Sequence, residues 1–147
     1  MAHLATPRAV ESVQNAFCST SALFGANLGG IEALLKAMKD HPAHPGVQEE
    51  ACQALRNLTA NPENDVKLSN LGGIEALLKA MKDHPTVPGV QEQACAALNN
   101  LSGNAENKVK ISKLGSKDQV RRAMAAANAT ENTKKWGQKL LDRLAQC

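Results

Sequence analysis

The residues of this chain best suited to chemistry are its histidines, cysteines and paired glycines, and their spacing limits what they can do. His41-Pro42-Ala43-His44 could bring two imidazoles to one metal ion. A zinc site needs three or four protein ligands. Shifted by 43 residues, His41 meets His84 but His44 meets Val87. No metal site is therefore expected, and the three are read as loop histidines. Cys18, Cys52, Cys95 and Cys147 make no CxxC pair. That usage suits a reduced, intracellular chain, cytoplasmic or nuclear, with Cys52 and Cys95 acting as small hydrophobes. Gly29-Gly30 and Gly72-Gly73 are not phosphate loops, because no GxGxxG follows a strand. No Ser/His/Asp or Cys/His set can be assembled, and Glu49, Glu50 and Glu92 are read as solvated carboxylates. Neither an enzyme nor a cofactor is expected.

What remains is a set of amides and cations. Asn57 and Asn100 stand 43 residues apart, with Gln53, Arg56, Asn99, Lys139 and Arg143 at related positions. A side-chain amide donates and accepts at once, so it can pair with a peptide unit whatever side chain that unit carries. Such residues act only if something aligns them, and the sequence supplies it. Leu28 to Pro42 recurs word for word as Leu71 to Pro85. Residues 28–70 and 71–113 align without a gap and agree at 32 of 43 positions. A divergent third copy keeps the register from Leu114: Met38 and Met81 meet Met124, Leu55 and Leu98 meet Leu141, and Leu58 and Leu101 meet Leu144. Upstream, Val10 to Phe17 reads as one more helix. The expected organisation is an N-terminal half repeat over 1–27, repeats over 28–70 and 71–113, and a capping repeat over 114–147. About three stacked units are the usual minimum for a stable solenoid.

Within a repeat, period and punctuation place three helices. Gly29-Gly30 ends one segment. Ile31, Leu34, Leu35 and Met38 then form a stripe at i, i+3, i+4, i+7, which Pro42 closes. Beyond the Pro45-Gly46 turn, Val47, Ala51, Cys52, Ala54, Leu55 and Leu58 make a broader apolar face, as on a helix packed from two sides. Asn61-Pro62 reads as an N-cap and first helical residue, opening a short helix with Val66 and Leu68. The order is short, medium, long.

Composition agrees with packed helices. The chain has 147 residues, no Tyr, one Trp and two Phe, so its core is aliphatic. At that length about 70% of the unfolded surface can be buried. Seventeen basic and 14 acidic residues give a net charge of +3, too balanced for a nucleic-acid footprint. No apolar run approaches the ~20 residues of a membrane span, and the first residues lack the apolar stretch of a signal peptide.

Three helices in about 42 residues, a Gly-Gly before the second, and Ala-Leu-x-Asn-Leu in the third (Ala54 to Leu58, Ala97 to Leu101) resemble the armadillo repeat. The resemblance spans roughly residues 10–146 and implies an all-α, right-handed α-solenoid whose third helices line a concave groove for extended peptides. In importin-α and β-catenin an asparagine on each third helix holds the ligand backbone. Asn57 and Asn100 match that position, and Arg143 replaces it in the third copy. Importin-α carries a tryptophan one turn earlier, where this chain has Gln53, Ala96 and Lys139, which argues against a receptor for classical nuclear signals.

The expected groove residues are Asn57 and Asn100, with Gln53, Arg56, Asn99, Lys139 and Arg143 around them. The third helices differ at 50/93, 53/96, 56/99, 59/102 and 60/103. Spacings of three mark one face, and a face free to drift reads as free of core duty: an open groove or plain solvated surface. Along the row the charge runs from Glu49 and Glu92 to Lys135, Lys139 and Arg143, which suits a ligand with an acidic end, or serves only to solubilise the last helix. Trp136 either covers that helix or offers an apolar contact. Two rival functions stand beside peptide binding. Near-identical units could stack end to end or swap into homo-oligomers, and the identity between copies fits recent duplication, reconstruction or consensus design with no natural ligand. A basic ridge of Lys36, Lys39, Lys79 and Lys82 would serve weak nucleic-acid binding, but Glu32, Asp40, Glu75 and Asp83 interrupt it.

Overall fold

The computed structural model describes residues 29–146. The half repeat expected over 1–27, with Cys18, and the terminal Cys147 lie outside the described residues. Within them the chain is all helix, without a strand: α1 (Gly30–Asp40), α2 (Pro45–Leu58), α3 (Pro62–Asn70), α4 (Gly73–Asp83), α5 (Pro88–Leu101), α6 (Ala105–Lys113), α7 (Ser116–Ala125) and α8 (Glu131–Leu144).

Local chemistry explains each start and stop. Gly72 sits at φ 87°, with Gly29 at 86° and Gly115 at 75°; no other described residue has positive φ. Glycine enters that left-handed region without the penalty a Cβ imposes. There Leu71 N–H donates to the Lys67 carbonyl and Gly72 N–H to the Ser69 carbonyl, which closes α3 while the chain turns into α4. Pro45 and Pro88 occupy the first turns of α2 and α5, where a missing N–H costs nothing. Asn61, Asn104 and Thr130 cap α3, α6 and α8 by accepting from Glu63, Asn107 and Thr133 N–H.

A device that the apolar pattern conceals joins the second and third helices. Gln48, buried in α2, donates from Nε2 to the Met38 and His41 carbonyls at 3.0 Å. Gln91 repeats this in α5 with Met81 and His84, at 2.9 Å. The last carbonyls of a helix have no partner within it, and here a buried amide supplies one for α1 and for α4.

Stacking is regular. The long helices α2, α5 and α8 lie side by side, as do α1, α4 and α7, and α3 packs on α6. One continuous aliphatic core runs from Ile31 to Leu144. Leu55 and Leu98 are fully buried, whereas Leu141 in the same register is half-buried, because no described helix lies beyond α8. The expected all-α solenoid is therefore found.

Cys52 and Cys95 are buried free thiols in that core. Burial, aided at Cys52 by the Glu49 charge, pushes both thiols up to about 12, far from the thiolate a nucleophile requires. Neither should be labelled by a thiol reagent at pH 8 in the folded protein, and both should react at once in denaturant. Rapid native labelling of either would contradict this packing.

Candidate functional site

The exposed row to build is the one carried by α2, α5 and α8. Asn57 and Gln53 on α2 face solvent. Asn100, one repeat on, is half-buried, and its Nδ2 donates to the Arg56 carbonyl (3.4 Å) and Thr59 Oγ1 (3.1 Å). Arg143 makes the homologous reach: its Nη1 donates to the Asn99 carbonyl (2.6 Å) and Ser102 Oγ (3.4 Å). The long helices α5 and α8 thus each extend a donor to the carbonyl end of the long helix before it. The Asn100 amide does not keep both hydrogen-bonding functions for a ligand, as the sequence suggested. Its donor is engaged within the array and its Oδ1 remains. Arg143 retains Nε and Nη2.

A second expectation holds only in part. On the face where copies drift, Glu50, Gln53, Ala60 and Gly103 are exposed, but other positions carry core duty. Ala96, Asn99 and Ser102 are 1%, 3% and 3% exposed, and Thr59 is 4% exposed. Asn99 therefore does not offer its amide to an open groove, and its Oδ1 is buried without a partner. The reason is positional: α5 has a long helix on each side, so residues pointing at α8 are covered. Those positions drift because α8 is the divergent neighbour they must fit.

Arg56, half-buried on α2, reaches across the row. Its Nη1 donates to Gln93 Oε1 at 3.0 Å, and its guanidinium lies 5.5 Å from the ring centroid of Trp136 on α8. Lys135 and Lys139 lie over the same ring at 5.1 and 5.0 Å. Trp136 is itself half-buried against the core. It covers the last long helix and also stands in the row as an aromatic surface. Sequence reading located the cations but not their convergence on the tryptophan. The signal that could have found it was Lys135-Trp136 with Lys139 one turn on. None of Arg56, Lys135, Lys139 or Arg143 forms a salt bridge among the described residues. Glu92 is occupied by Thr130 and Asn132.

Beside the row lies an open depression of about 530 Å³, lined by Thr59, Pro62, Asp65, Asn100, Asn104 and Arg143. Asp65 is 7% exposed, its Oδ1 has no partner, and burial pushes its carboxyl up to about 6. A carboxyl raised on folding favours the protonated protein, so its contribution is full below pH 3.8 and is lost as pH rises through about 6. Asp65→Asn should therefore stabilise the protein at pH 7.5, by about 1 kcal/mol once screening by nearby water is allowed for. The gain should vanish at pH 4 in parallel thermal melts.

The outer faces differ. Lys36 and Lys79 pair with Asp40 and Asp83. Lys110 pairs with Glu75, and Lys67 with Glu32. The proposed basic ridge thus has two of its four lysines tied to carboxylates. His44 accepts from Val47 N–H as the cap of α2, and His84 Nε2 bonds the Pro42 carbonyl at 2.8 Å. Among the described residues no group of three or more His, Cys, Asp or Glu is arranged around a metal position. No described helix is long and apolar enough to cross a membrane.

Comparison with known proteins adds the following. The profile described as Armadillo/beta-catenin-like repeat matches residues 24–60 and 61–103, more than half of the chain. Protein aardvark of Dictyostelium discoideum is 54% identical to it over 43 residues, 29% of this chain and 6% of that protein. The chain thus spans a small fraction of that relative's length. No solved structure matches.

Proposed function

The chain belongs to the Armadillo/beta-catenin-like repeat family, and on that premise we propose that it binds an extended peptide along α2, α5 and α8. Armadillo repeats are generally protein-interaction scaffolds, typically without enzymatic activity. In this reading the groove is formed by Asn57, Gln53 and Arg56 from α2, the Oδ1 of Asn100 from α5, and Lys139 and Arg143 from α8, with Asn99 supporting from behind. The units over 28–70, 71–113 and 114–147 each contribute one long helix, and the protein works inside the cell, in cytoplasm or nucleus.

The observation that carries the reading is the pairing of unsatisfied amide functions at Asn57 and Asn100 with cations that form no salt bridge among the described residues, on one row of helices. Selection from a random peptide library, repeated with Asn57→Ala and Asn100→Ala, tests it. Enrichment that survives both changes undiminished rejects the groove. Asn100→Ala also removes an inter-helix bond, so circular dichroism must show the variant folded.

A second reading, self-assembly through the ends, is favoured by Leu141, which is half-buried at a position covered in both earlier repeats. Light scattering over a concentration series separates the two, since a steady monomer removes assembly.

A further inference from the structure

Three cations converge on one aromatic ring at 5.0 to 5.5 Å, from helices two repeats apart. Each is attracted by the ring face, but they repel one another, and no described carboxylate lies within 4 Å of any of the three. Six other cations, Lys36, Lys67, Lys79, Lys110, Arg121 and Lys134, sit within 4 Å of a carboxylate. What sets the gathering at Trp136 apart is three cations around one half-buried ring, on the face to which a ligand is assigned.

We infer that Arg56, Lys135, Lys139 and Trp136 form a subsite for a phosphorylated side chain of the bound peptide; this rests on the peptide-groove reading. The chemistry favours phosphate over a carboxylate. A phosphoryl group carries a charge of about −1.5 to −2 and three acceptor oxygens. Three cations grouped about one ring offer more donors and more charge than a carboxylate's two oxygens and single charge can use. Arg56 holds its Nη1 on Gln93, which fixes the guanidinium while Nε and Nη2 stay available for the charge-assisted bonds that phosphate makes best. The half-buried ring beside the lysine ammonium groups lowers the local polarity, which strengthens those bonds.

A nucleic acid carries phosphate too, but it needs a continuous basic track to follow its backbone. Here the cluster is a single focus. Glu49 and Glu92 precede Lys135 in the same row, and Asp142 lies between Lys139 and Arg143 in sequence. Their charge suits one dianionic group on an otherwise neutral ligand.

Trp136 is the single tryptophan, so its fluorescence reports on the subsite directly. The probes are three matched random-flank peptide libraries centred on serine, glutamate or phosphoserine, together with inorganic phosphate and a 12-nucleotide single strand. The phosphoserine library should change Trp136 emission and bind about tenfold more tightly than the serine library, with glutamate between them. Lys135→Ala, at an exposed position outside the groove residues, should remove much of that preference and leave serine-peptide binding unchanged. Asn57→Ala should weaken all three libraries alike. Equal affinity for serine and phosphoserine overturns the subsite and spares the groove, and no binding of any peptide overturns both. Free phosphate binding as tightly as the phosphopeptides would show an adventitious ion only. Tighter binding of the oligonucleotide would replace the inference with a nucleic-acid site.

Discussion

Leu98→Ala should destabilise the protein by about 2–5 kcal/mol, the usual cost of truncating a fully buried leucine. Leu98 lies in the last turn of α5, fully buried, and α5 packs on α2 to one side and α8 to the other. The removed atoms therefore open a hole in two inter-repeat contacts at once. A domain's whole stability is about 5–15 kcal/mol, and in a stacked array each unit depends on its neighbours, so the loss should lower the midpoint of urea unfolding for the whole chain. Leu141→Ala supplies the control. It has the same register but is half-buried with one long-helix neighbour, and its truncation should cost clearly less. Equal losses at the two positions would mean that the aliphatic spine is not continuous through α5.

Gly73→Ala should cost about 1–3 kcal/mol, although alanine is the better helix former by up to about 1 kcal/mol. A Cβ at Gly73 would lie 2.3 Å from Leu68 Cγ and Cδ1 and 2.9 Å from the Leu68 carbonyl oxygen. The side chain can turn aside; the carbonyl cannot without disturbing the end of α3. The third copy shows how this junction accepts a side chain. Ser116 stands where Gly73 does, is fully buried, and donates from Oγ to the Ile111 carbonyl at 2.7 Å, with Ile111 at the Leu68 position. The double variant Leu68→Ile with Gly73→Ser should therefore recover more than half of the loss, a coupling that two independent changes would not show. Denaturant midpoints for the singles and the double measure it. A neutral Gly73→Ala would refute this description of the junction.

Much of the fold was legible because it rests on a period. The 43-residue offset, the Gly-Gly at the left-handed turn and the stripe Ile31, Leu34, Met38 each report a local constraint that every copy must meet. The surface was less legible because its residues are defined by the neighbouring copy. Ala96, Asn99 and Ser102 drift like surface residues and are buried under α8. Asn100 carries the motif position of a ligand-holding amide, yet its donor serves the preceding helix. Gln48 and Gln91 stand outside the apolar pattern, yet both are buried caps. The cluster at Trp136 needs Arg56 from 80 residues upstream, a distance over which no pattern in one helix can speak.

The donors of Asn100 and Arg143 all point one way, toward the long helix that precedes them. The array consequently has a direction, like roof tiles that each hook over the row below. A chimera that appends a unit after α8 makes a matched seam when the incoming helix brings a donor at that register. The same unit with leucine there would lie flat against α8 and leave the exposed carbonyl rim of the last tile to water.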